Sequence, residues 1–92
     1  MRTVWKYPLR YDTHQTVMMP AGSRLLMVHE QRGLVCVWAE VDPARAADTP
    51  YTFQIVGTGC VDLEPGSRRQ YLGSAFVGEY VWHVYQQLES GQ

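Results

Sequence analysis

A chain of 92 residues with a net charge of −1 has room for one domain and no second, near the lower limit at which a core sustains itself. Its 46% hydrophobic residues mark a folded globule, whereas 18% charged residues fall short of the usual quarter and leave surface free for association, most simply as a homo-oligomer. The charge excludes the basic stripe that duplex nucleic acid demands, yet one or two placed arginines still suffice for a small anion.

The opening MRTVWKYPLRY lacks the apolar run of a signal peptide, and no stretch reaches membrane-spanning length, so the sequence predicts a cytosolic protein without a membrane partner. Short β-branched and aromatic runs follow, punctuated by Gly, Pro and Asp, and none keeps a 3.6-residue period for three turns. The first strand, Thr3 to Leu9, sets Trp5 and Tyr7 on one side and Val4 and Lys6 on the other. Pro8 donates no ladder hydrogen bond, which suits an edge or a strand end. A second strand spans Gln15 to Met19 and stops at Pro20-Ala21-Gly22.

RLLMVHE-QRG-LVCVWAEV reads as a β-hairpin turning at Gly33. Both faces of its arms are largely apolar, which predicts a central hairpin covered on both sides. DPARAADTP at 42–50 is a polar loop, with a brief helical turn expected around Ala44 to Ala47. Tyr51 to Val56 is the next strand. Beyond the connection GTGCVDLEPGSRR, QYLGSAFV-GE-YVWHVYQQ forms a second hairpin, whose Gly78-Glu79 suits a type II′ turn, and Leu88 to Gln92 reads as a frayed tail. Six or seven short strands make an all-β antiparallel sandwich or small open barrel.

The stretch IVGTGC poses the functional question. Phosphate loops set glycines between a strand and a helix. Here no helix and no lysine follow, so Gly57, Thr58 and Gly59 read first as a strand end, with an amide nest for an anion as the alternative. Arg68-Arg69, on the same connection, is either a solvated turn or an anion clamp beside that nest. Cys36 lies among apolar neighbours, and Cys60 has no activating base beside it; neither spacing specifies a metal site, and no cofactor is called for.

His14, His29 and His83 are far apart in sequence. Ser74, His83 and Glu79 can be drawn as a triad, but without a G-x-S-x-G elbow. The aromatics exceed what one small core hides, so some line a groove or an interface. Tyr80 and Trp82 share one face of the last strand, and His83 and Tyr85 the other.

The runs RTVWKYPL, QTVMMPAG, VCVWAEVDP, FQIVGTG and YLGSAFVGEYVWHVY together resemble a group of small phage- and prophage-encoded domains of unassigned function, over nearly the whole chain. In that group a histidine often follows GTG, where this chain has Cys60, which weakens any catalytic role there. The resemblance implies an accessory protein acting in the host cytoplasm against host defence. One class of such proteins consists of homo-oligomers that sequester nucleotide immune signals. On that reading the protein is not an enzyme. Trp5, Tyr7 or Trp82 would stack on the base of an ADP-ribose derivative or cyclic nucleotide, and Gly57, Thr58, Gly59, Arg68 or Arg69 would meet its phosphates, near His83. The alternatives are a protein-binding inhibitor of a host defence enzyme, and a small hydrolase using His83 or His29 with Ser74 or Cys60.

Overall fold

A computed structural model describes residues 1–88 and contains seven strands and no helix among them. The strands are β1 (Thr3–Pro8), β2 (His14–Met19), β3 (Arg24–Gln31), β4 (Leu34–Val41), β5 (Thr49–Gly57), β6 (Arg69–Val77) and β7 (Tyr80–Gln87). They form an antiparallel sandwich with a three-stranded sheet ordered β1-β4-β3 and a four-stranded sheet ordered β2-β5-β7-β6. The body is flat, about 40 × 37 × 16 Å.

Residues opposite one another across antiparallel strands share a face, so the register sorts each sheet into inner and outer rows. In the small sheet Trp5, Ala39 and Leu25 form one row, and Tyr7, Val37 and Val28 the next. These face Phe53, Ile55, Val84 and Ala75 of the larger sheet, and the core closes between them. Phe53 is wholly buried, which contributes about 1.5–3 kcal/mol. The outer rows of the small sheet are Lys6, Trp38 and Met27, then Pro8, Cys36 and His29. Cys36 is buried, as its neighbours suggest, but on this outer face rather than in the core between the sheets.

The first hairpin departs from the sequence reading in its surroundings. β4 lies between β1 and β3, but β3 is an edge strand, and Leu26 and Met27 are nearly half exposed. Alternation along a strand reports apolar faces, not how many neighbours cover them. The turn is two residues long, with Arg32 at φ 54° and Gly33 at φ 81°, the positive pair that a type I′ turn requires. In the second hairpin only Gly78 is positive, at 58°, as a type II′ turn demands. The helical turn expected around Ala44 to Ala47 is absent. Asp42 instead accepts the Ala44 amide on Oδ1 at 3.0 Å and the Arg45 amide on its carbonyl at 3.1 Å, so its side chain makes the turn that a helix would have begun.

One seam joins the two sheets. Edge strands β3 and β6 run along each other, and each carries a register shift where they meet, between Leu25 and Met27 and between Tyr71 and Gly73. Bulges bend and twist a strand, which turns these edges toward one another. At the contact, a Cβ built on Gly73 would lie 3.1 Å from Val28 Cβ. The absent side chain is what lets the sheets close. On the opposite side β1 and β2 are free edges, exposing Val4, Trp5 and Met18. Pro8, at the end of one of them, removes no needed donor.

Among the described residues two polar side chains, Gln15 and Gln54, are buried. Gln15 accepts the Arg10 amide on Oε1 at 2.8 Å and donates from Nε2 to the Arg10 and Asp12 carbonyls at 2.7 and 3.0 Å. It thereby closes the β1–β2 connection in place of a backbone ladder. Gln54 meets His14 at 2.7 Å through Nε2. Leu88 is not frayed, since its amide donates to the Arg68 carbonyl at 2.8 Å; the rest of the expected tail lies outside the described residues.

Gly73→Ala is expected to destabilise the fold by about 1–3 kcal/mol, because the added methyl overpacks the seam against Val28. Urea denaturation of the two proteins reads the difference.

Candidate functional site

The end of the sandwich that carries Gly57 also carries a cleft of about 650 Å³. Gly57, Thr58 and Cys60 form one wall, and Glu79, Tyr80, Val81 and Trp82 the other. β5 ends here in a turn closed by the Cys60 amide donating to the Gly57 carbonyl at 3.1 Å, with Gly59 at φ 88°. Positive φ at the third of four residues is where a type II turn needs glycine. Thr58 donates its own amide to the Val81 carbonyl at 3.1 Å. The amides of residues 58 and 60 are thus committed within the protein. The nest of consecutive free N–H groups that would receive a phosphate is not formed at Gly57-Thr58-Gly59.

Arg68 and Arg69 do not approach this turn. Arg69 opens β6 opposite Gln87, whereas Gly57 stands opposite Trp82 and Trp82 opposite Ala75. Six residues of strand separate Arg69 from Ala75, roughly 20 Å at strand rise. The connection after Gly57 runs the length of the sheet, so adjacency in sequence does not survive as adjacency in space. Arg69 instead donates to the Glu64 carbonyl at 3.0 Å and lies over the Tyr85 ring, 5.6 Å from its centroid.

The aromatic candidates divide. Trp82 lines the cleft, with the Tyr80 ring 6.4 Å away at 38° and the Tyr11 ring 4.8 Å away at 48°. Tyr80 is 68% exposed. Tyr7 packs against the core, and burial, then the nearby Tyr51, raises its phenol pKa. Trp5 stands opposite Ala39 on the free edge and is not among the residues lining the cleft. Tyr11 carries no signal in the strand pattern, because it sits in the polar RYDTH connection. Its hydroxyl donates to the Gly33 carbonyl at 2.8 Å, tying the first hairpin turn to the cleft.

His83 points to the opposite face of β7 from Trp82. Its Nε2 is 2.7 Å from Thr58 Oγ1 and its Nδ1 2.8 Å from Ser74 Oγ, which in turn is 2.5 Å from the Tyr71 hydroxyl. The contacts run unbroken from the Tyr71 hydroxyl through Ser74 and the imidazole to Thr58, whose hydroxyl faces the Val81 carbonyl at 3.5 Å. So Ser74 and His83 do meet, as the paper triad required, but the third member does not. Glu79 lines the cleft on the other face, and the second imidazole nitrogen meets a hydroxyl. A hydroxyl cannot balance an imidazolium as a carboxylate does. His14 and His29 lie elsewhere, on Gln54 and on the Glu30 carbonyl. Among the described residues no three His, Cys, Asp or Glu side chains gather as metal ligands.

A family model described as a domain of unknown function (DUF7352) matches residues 1–92. No curated protein and no solved structure matches the chain.

Three groups near or behind this end titrate above their ordinary values. Burial raises the Cys36 thiol above 9.0, with Lys6 opposing and Glu30 adding to the shift. Burial, then Glu30 and Cys36, raises the Tyr11 phenol above 10.0, and Tyr7 shifts the same way. The unfolded chain releases these protons first, so the stability they contribute is complete below the ordinary values and is lost as pH rises through the raised ones. The urea midpoint should hold level from neutrality to about pH 8.5 and decline above about pH 9.

Proposed function

The chain belongs to the DUF7352 family of domains of unknown function, and from that premise we propose that it is a non-catalytic binding module whose aromatic cleft holds a nucleotide-type small molecule. The observation that carries this reading is the pairing of Trp82 and Tyr80 in one cleft of about 650 Å³, with Tyr11 packed on Trp82 beside it. That volume lies within the range of small-ligand sites. Aromatic faces take any base by stacking, at about 1–3 kcal/mol per base. The committed amides of Thr58 and Cys60 move the recognition from phosphate to ring, so stacking is the larger part of the affinity.

The finer reading is a phage-encoded accessory protein that sequesters an ADP-ribose derivative or cyclic nucleotide in the host cytoplasm and so blunts antiviral defence. The apolar side chains on the free edges, Val4, Trp5 and Met18, support a homo-oligomer in that role. The hydrogen-bonded Ser74 and His83 favour a hydrolase as the second reading.

Native mass spectrometry reports subunit number and retained ligand together, and calorimetry with ADP-ribose and cyclic nucleotides measures binding. Tyr80→Ala, at an exposed position, is expected to weaken binding by about 1–3 kcal/mol while leaving the melting temperature unchanged. Absence of any binding overturns the module. Ligand recovered hydrolysed after denaturation supports the enzyme, provided Ser74→Ala abolishes the hydrolysis.

A further inference from the structure

The β3–β4 turn contains a residue out of place. Arg32 has φ 54° and is the one non-glycine residue with positive φ among the described residues. Its turn is of the I′ kind, where asparagine, aspartate or glycine normally stands at this first central position. A long side chain held in the left-handed region is strained, and such strain persists where the surroundings enforce it. Here they do. Glu30 Oε2 accepts the Gly33 amide at 2.6 Å from inside the hairpin, and the Gly33 carbonyl accepts the Tyr11 hydroxyl at 2.8 Å from outside.

That second bond links the turn through Tyr11 to Trp82, a lining residue of the cleft, since the Tyr11 ring packs on Trp82 at 4.8 Å. Other cations of the β1–β2 side are engaged: Arg10 with Asp12 at 3.1 Å, Arg2 with Glu40 at 3.5 Å, and Lys6 with Gln31. Arg32 is exposed, and no carboxylate among the described residues pairs with it.

We infer that Arg32 is the anion-recognising residue of this end of the sandwich, meeting the phosphate of a ligand whose ring stacks on Trp82 and Tyr80. This rests on the cleft reading above and supplies the positive group that Arg68, Arg69 and the Gly57 turn do not bring there. Guanidinium binds phosphate through paired N–H donors, and one such arm on a rigid hairpin suffices for a small ligand.

Arg32→Asn separates the two properties of this position. Asparagine suits the turn, so the melting temperature should rise, while affinity for ADP-ribose should fall about tenfold or more and affinity for adenosine should hold. Calorimetry with both compounds and a thermal melt read this. Unchanged ADP-ribose affinity in the variant overturns the role of Arg32 and leaves the stacking cleft standing. Equal losses for ADP-ribose and adenosine also overturn it, because the effect is then not one of charge. A wild-type protein that binds neither compound overturns the cleft and Arg32 together.

Discussion

The fold depends on a close approach between two edge strands. β3 and β6 bring the sheets together where Val28 faces Gly73, and each strand bends there through a bulge. Without the bulges two flat sheets would stack with both edges open; without the glycine the bent strands would collide. The seam closes one side of the sandwich and leaves β1 and β2 as the free edges. It also fixes the level at which the two inner rows meet, and so which residues line each end.

The cleft follows from that arrangement. β5 ends and β7 begins at this end, and the turn after Gly57 and the start of β7 form its two walls. The small sheet reaches this end through the β3–β4 turn and through Tyr11. Rings gather here because the inner face of β7 emerges from the core at Trp82 and Tyr80. Behind them, on the other face of the same strand, His83 is held between two hydroxyls. One strand thus separates an aromatic surface from a polar relay by nothing more than the alternation of its side chains.

Much of this was legible in the sequence. Two-residue alternation located every strand and both hairpins, and it put Tyr80 and Trp82 on one face with His83 on the other. What it could not carry was distance across the fold. Arg68 follows Gly57 closely in the chain, yet an extended connection carries it to the far end of the sheet. Nor does a pattern within one strand reveal an edge, which is why β3 read as covered. Tyr11 was missed for a related reason, because its partners, Gly33 and Trp82, lie in two other hairpins. The amides of Thr58 and Cys60 looked available only because their acceptors, Val81 and Gly57, are set by pairing and turn closure.

Gln15 gives the cleft a property that no residue lining it supplies. Its amide group ties Arg10 and Asp12 from below, and these are the two chain neighbours of Tyr11. The ring on Trp82 is therefore anchored at its backbone by a buried side chain and at its hydroxyl by Gly33. Much of the ordering entropy of this support behind Trp82 is spent during folding rather than on encounter with a ligand. The site should behave as a rigid receptor, with association governed by diffusion and orientation instead of by the closing of a loop.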